Sequence, residues 1–405
     1  MRRQRGTMKL SDNRGFTLVE ILVAMAIFLT ILMVTTTTFD LIAKHAGQQS
    51  KSAETLVESV VGLEVLRSDL KQAGFGLPWT VPSTISSASY KEAQVTTDDI
   101  PAPGFWPATA PPAPATHWVN SFNDAPANAP RAIQSAETAF NVDASGHGSK
   151  YLVIKSMLVG ASPASKKWTN VAFSSAGKSI RQWGDPSRDL ADTDRVIVVK
   201  NSLITTPPTQ QLMVTDAGAF SARFNNYSTL ILPHQEGDTY EVYGVDSNDL
   251  IMPFNRADYY VMRPATGMPA DCAPHTGVLY KSVLNHADGS FTPTPLFDCV
   301  ADLQVVYGVD SSGSGTGTVN NHQTDTFTSA EDIRNQLREI RVYLLSHEGK
   351  KDRSYTTPSR YVTVGEDFGG VLRGRVFDLQ TLIGGDWQNY RWKVHTIVVR
   401  PKNLF

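Results

Sequence analysis

Residues 14–39 read RGFTLVEILVAMAIFLTILMVTTTTF, and the charges around this run govern how the remaining chain is interpreted. Arg2, Arg3, Arg5, Lys9 and Arg14 precede it against one acid, Asp12, whether Met1 or Met8 is the first residue. Between Glu20 and Asp40 lie nineteen uncharged residues, close to the roughly 20 that cross a bilayer as a helix. Basic residues on the N-terminal side hold that side in the cytoplasm, so the pattern predicts a chain exported behind its own anchor. A secretory signal cut at Ala24-Met25-Ala26 would leave only eight apolar residues, Phe16–Val23, interrupted by Glu20. An uncleaved signal anchor fits the length but gives Glu20 no purpose. A carboxylate costs about 2.5–3.5 kcal/mol near the centre of a membrane helix and less near its end.

Taken as one unit, Arg14-Gly15-Phe16-Thr17-Leu18-Val19-Glu20 behind a basic leader resembles the type III signal of prepilins, the precursors of type IV pilins and type II secretion pseudopilins. The resemblance implies that prepilin peptidase, a membrane aspartyl enzyme, cuts between Gly15 and Phe16 and that Phe16 is then N-methylated. Glu20, fifth after the cut, matches the family's Glu. A processed N-terminus is an ammonium, and Glu20 lies one turn along the same helix. In a bundle the carboxylate of one subunit would meet the ammonium of its neighbour and set the axial register. The alternative is a Glu20 that snorkels to the headgroups.

Asp40 to Ala73 contains no Pro, and its only glycines are Gly47 and Gly62. Leu56, Val60, Leu63, Leu66 and Leu70 recur at helical spacing, widened by Val57, Val61 and Val65. Lys51, Glu54, Glu58, Asp69 and Lys71 fall mostly off this stripe, and Gly74, Gly76 and Pro78 end the helix. From Phe16 to Ala73 the helix would run about 87 Å at 1.5 Å per residue. The pattern predicts a half in lipid (16–39) and an amphipathic half (40–76). Leu66 to Gly76 resembles the segment shared by the PilW group of large minor pilins, and more loosely a minor pseudopilin of type II secretion.

Residues 77–150 break the composition, with prolines at 101, 103, 107, 111, 112, 114, 126 and 130. They predict an extended, poorly packed insert in which Trp79, Phe105, Trp106 and Trp118 dock on a surface. From Tyr151 to the end, short β-type runs alternate with turn residues. The expected strands are Tyr151–Val159, Arg195–Val199, Gln211–Val214, Thr229–Leu232, Thr239–Tyr243, Tyr259–Met262, Leu303–Val309, Glu339–Leu345, Tyr361–Val364 and Trp392–Val399, with a short helix at Glu331–Leu337. Ile340, Val342 and Leu344 alternate with Arg341 and Tyr343 as in a half-buried strand. Cys299–Asp310, Arg338–Leu345 and Tyr390–Arg400 also resemble PilW-group strands, although Arg400-Pro401-Lys402-Asn403 departs from the usual Arg-Asn ending. The expected fold class is α+β and pilin-like: a 1–15 leader, a long N-terminal helix packed on antiparallel sheet, the 77–150 insert, and a 151–405 β-rich body.

Composition narrows the function. The chain has 405 residues, enough for two to three domains. Its net charge of −2 offers no general attraction to nucleic acid. Two Cys exclude a disulfide-dense scaffold and a four-cysteine zinc site. As the only cysteines on the exported side, Cys272 and Cys299 are expected to form one disulfide, the alternative being two buried thiols. Serines stand in Asp310–Gly317 where a calcium loop needs carboxylates, leaving a flexible hairpin as the reading there. Gly313-x-Gly315-x-Gly317 lacks the helix a nucleotide-binding turn must open, and no HExxH or G-x-S-x-G occurs. No catalytic residue, metal or cofactor is therefore expected. The resemblance implies a non-enzymatic assembly role, and a membrane-tethered periplasmic enzyme or binding protein is the rival from another class. Implied partners are prepilin peptidase, other minor pilins and the major pilin, the inner-membrane assembly platform and a tip adhesin. The implied location is the inner membrane with a periplasmic body, and later the pilus near its tip.

Overall fold

The computed structural model describes residues 17–95, 118–174, 177–202, 209–231, 239–312 and 317–404. The chain divides into two units, Met1–Ala53 and Glu54–Phe405. Helix α1 spans Leu18–Lys71. In the first unit its Leu18–Phe39 stretch is 22 residues long, apolar and wholly unburied, sufficient to cross a membrane.

In the second unit the end of α1 lies on a sheet. Leu66, Leu70 and Ala73 are fully buried and Leu63 is half-buried. Val60 and Val61, expected in the same stripe, are 60% and 61% exposed. Past these two valines the described residues become buried from Gly62, where any Cβ would run into the Leu296 carbonyl. Glycine lets the helix backbone approach there, and the two valines precede that contact. The side chains of Lys51, Glu54, Leu56, Val57 and Glu58 lie outside the described residues. The helix stops as expected: Gly74 and Gly76 take φ of +81° and +71°, open to glycine at little cost.

The described residues hold sixteen strands, numbered in chain order. A main antiparallel sheet has the order β1 (Ile133–Glu137), β2 (Lys150–Ser156), β9 (Asn255–Met262), β10 (Gly277–Leu284), β11 (Phe291–Val309), β13 (Leu337–Glu348), β16 (Arg391–Val399), with β12 (Asn321–Gln323) also on β11. Between β2 and β9 the chain builds a second sheet in the order β4 (Gly177–Ile180), β3 (Trp168–Ser174), β8 (Thr239–Asp246), β5 (Arg195–Ser202), β6 (Thr209–Leu212), with β7 (Ala222–Arg223) on β5. β14 (Tyr361–Phe368) and β15 (Val371–Asp378) form a separate two-stranded ribbon. Helix α2 occupies Ala330–Gln336, capped by Ser329 accepting from the Asp332 N–H.

The structure corrects several expectations. Of the expected strand Thr229–Leu232, Leu232 lies outside the described residues and the rest is no strand: Phe224–Leu230 forms a 3₁₀ helix, in which Phe224 and Tyr227, three apart, stack at 5.5 Å. Tyr343 is buried beside Ile340, Val342 and Leu344, because the β14–β15 ribbon brings Val364 and Phe377 over the other face of β13. The 77–150 insert is not loosely packed where it is described. Leu77, Tyr90, Ala93, Val95, Val119 and Phe122 join the main core, and β1 pairs with β2. Trp79 and Trp118 are half-buried; Phe105, Trp106, Gly313, Gly315 and prolines 101–114 lie outside the described residues.

Candidate functional site

Gly15 and Phe16 lie outside the described residues, so the site begins at Thr17. The Thr17 carbonyl accepts from the Ile21 N–H at 3.2 Å, opening α1. Thr17 donates from its N–H and from Oγ1 to Glu20 Oε2, each at 2.9 Å, and the Glu20 N–H donates back to Thr17 Oγ1 at 3.3 Å. This is a reciprocal capping box, which satisfies donors that a helix start otherwise leaves orphaned. Glu20 shares one face with Ile21, Ala24, Met25 and Phe28, an otherwise apolar surface.

Where α1 meets the main sheet, one polar residue is buried with the leucines. Asp69, expected off the apolar stripe, accepts from Tyr259 Oη at 2.6 Å and lies 2.6 Å from Lys281 Nζ. Burial raises the Asp69 pKa, and the Lys281 ammonium offsets part of that rise. Tyr259 is on β9 and Lys281 on β10, paired directly across the strands. The carboxylate therefore fixes how α1 is seated, a directional contact that the leucines beside it cannot supply.

A second buried polar cluster ties the insert to the sheet. Lys155 Nζ on β2 lies 2.7 Å from Glu92 Oε2 and 2.6 Å from Asp124 Oδ2, and donates to the Phe122 carbonyl at 2.8 Å. Glu92 Oε1 accepts from the Asp124 and Ala125 N–H groups at 2.6 and 3.1 Å. Arg256 on β9 grips both Asp258 oxygens at 2.8 Å and reaches Asn123 Oδ1 and the Val119 carbonyl. Arg131 Nε donates to Asp124 Oδ1 at 2.6 Å. Burial pushes the Asp124 pKa up, but Lys155 and Arg131 outweigh it and hold the group below the usual carboxylate range. The cluster matches three carboxylates with three cations, as buried charge requires. Composition concealed it, since its members come from the insert, β2 and β9.

Cys272 and Cys299 form a disulfide with Cα atoms 4.9 Å apart, closing the 27-residue separation anticipated from sequence. The bond joins the turn ahead of β10 to the middle of β11. In the chain-entropy model a loop of this size contributes on the order of 3–4 kcal/mol. Thiol labelling of denatured, unreduced protein should detect no reactive cysteine, and reduction should lower the unfolding midpoint. Two reactive thiols before reduction would refute the bridge in the cell.

Comparison with known families agrees with both ends of this architecture. Residues 10–36 match the prokaryotic N-terminal methylation motif. Residues 258–403 match the type IV pilus-assembly protein W family. The second match starts within β9 at Asp258 and takes in β10 to β16, and hence the disulfide and the seat for Asp69. No curated protein and no solved structure matches the chain. With the methylation motif over the start of an apolar helix and the antiparallel protein W region at the other end, the chain is similar to type IV pilin-like proteins of the PilW kind.

Proposed function

We propose that the chain is a minor type IV pilin that prepilin peptidase processes between Gly15 and Phe16, and that it helps to prime pilus assembly at the inner membrane. The observation that carries this reading is the methylation motif over residues 10–36, which overlaps the 22-residue membrane-length stretch Leu18–Phe39 of α1. Apolar helices of neighbouring pilins would pack together, Glu20 would set their register, and the large body would remain on the periplasmic side and later near the tip. Its function is mechanical, because nothing in this reading requires a bond to be made or broken by the chain itself. The partners are prepilin peptidase, the other minor pilins with the major pilin, the assembly platform and a tip adhesin.

Cleavage after Gly15 tests the reading first. Intact mass of the protein from native membranes should give a chain beginning at Phe16 and carrying one extra methyl. The same species should occur in sheared pili at a small fraction of the major pilin. Gly15→Ala should leave full-length precursor in the membrane. Cleavage after Ala26, or no cleavage, would end the prepilin reading.

A further inference from the structure

We infer that Arg181 and Arg188, stacked on Trp183, form a docking site for an acidic segment of a partner protein. The three residues stand in the connection from β4 to β5, outside the residues that either family matches. Both guanidinium carbons lie 4.0 Å from the centroid of the Trp183 ring, and both arginines are exposed. The ring between them is fixed. Trp183 Nε1 donates to the Trp168 carbonyl at 3.0 Å, and the Trp168 ring meets it edge-on at 5.4 Å. Its backbone N–H donates to Asp189 Oδ1 at 2.7 Å, while Asp189 Oδ2 accepts from the Asp185 N–H at 3.1 Å. Asp185 Oδ1 in turn accepts from the Ser187 N–H and hydroxyl at 2.9 and 2.8 Å. The two acids of the loop thus serve the loop itself. Hydrogen bonds to Ser187 come first among the causes that lower the Asp185 pKa, and the charge of Arg188 comes last.

An arginine on an open surface gives up much rotamer freedom when it is bound. One already stacked on a fixed ring gives up less. Stacking leaves the N–H donors free in the plane of the guanidinium, the geometry that takes a carboxylate through two parallel hydrogen bonds. Trp and Arg are also the side chains that most often carry the binding energy of protein interfaces. A nucleic-acid strand suits the surface less well. Its bases need open aromatic faces, and here guanidiniums occupy the ring. Two cations are also a small footprint for a phosphate backbone.

The test uses the full chain in detergent and fluorescence anisotropy of three labelled probes. These are a peptide of alternating Glu and Gly, its Gln counterpart, and an oligothymidine of the same net charge as the Glu peptide. Wild type should bind the Glu peptide more tightly than the oligothymidine and should leave the Gln peptide free. Arg181→Gln and Arg188→Gln should each weaken the Glu peptide about ten-fold, the factor for one lost charge-assisted contact. Arg181→Lys combined with Arg188→Lys keeps both charges but not the planar donors, and should weaken it at least roughly three-fold. Unfolding midpoints should stay at the wild-type value, since both side chains are exposed; if a Gln variant is unstable, the Lys pair decides alone. Tighter binding of the oligothymidine would overturn the inference in favour of a nucleic-acid surface. Full affinity in the Lys pair would overturn it as well, because charge without stacking would then suffice. So would an absence of binding, or binding that neither Gln variant weakens.

Discussion

Replacing Lys155 by Met should destabilise the body by about 3–5 kcal/mol, the usual cost of removing one member of a buried ion pair. The ammonium is fully buried against Glu92 and Asp124, so its loss strands negative charge where water cannot reach. Arg131 would still neutralise Asp124, and Glu92 would keep two backbone donors and the guanidinium of Arg256 at 3.7 Å. The charge left over is thus mainly that of Glu92. Lys155→Met combined with Glu92→Gln should recover most of the loss, because a neutral amide can still accept from Asp124 and Ala125. Chemical unfolding of the detergent-solubilised protein followed by tryptophan fluorescence measures both variants. Equal destabilisation of the single and double variants would show that packing of the lysine stem, and not its charge, is what matters.

Acidification should weaken the fold between pH 6.5 and pH 4 through two buried histidines. Desolvation pushes both His286 and His347 down to about 4, from an ordinary value of 6.5. His286 Nε2 pairs with Asn255 Oδ1 at 3.0 Å, an acceptor, so the proton sits on Nε2 and a second one on Nδ1 would enter a buried position with no acceptor among the described residues. His347 Nε2 accepts from the Ala273 N–H at 2.8 Å, so protonation would set two donors face to face beside the disulfide. Above pH 6.5 both states hold these groups neutral and the full stability is present. As pH falls below 6.5 the unfolded chain takes up the protons and the folded one does not, so stability is lost until about pH 4. At pH 5 each histidine should cost about 2 kcal/mol relative to pH 7. Urea midpoints measured at pH 7 and pH 5 for wild type, His286→Gln and His347→Gln would show whether each replacement removes its share of the slope. Parallel slopes in all three proteins would exclude the histidines as the cause.

What the sequence determined by itself was local. Nineteen uncharged residues behind five basic ones specify a membrane-length helix, and glycines at 74 and 76 stop it, because both effects act within a few residues of chain. The end of β11 (Leu303–Val309), β13 and β16 were legible for the same reason, as runs of Val, Ile, Leu and Tyr long enough to show their pattern, whereas the first part of β11 was not read as strand. β10, read as no strand, carries Lys281 and Ser282 in its middle; Ser282 is buried beside β9, and Lys281 is half-buried against Asp69. Polar burial was decided by tertiary structure throughout. Asp69 looked like a surface acid until Tyr259, 190 residues away, supplied a hydroxyl. Nothing in the local sequence marks Lys155, Glu92, Asp124 and Arg256 for burial; the fold collects them in one dry cluster and turns the flanks of a Pro-rich insert into core. Periodicity tells an apolar side chain which way to face, since water repels it wherever it stands. A charge is buried only if a partner arrives, and the partner's arrival is a property of the whole chain.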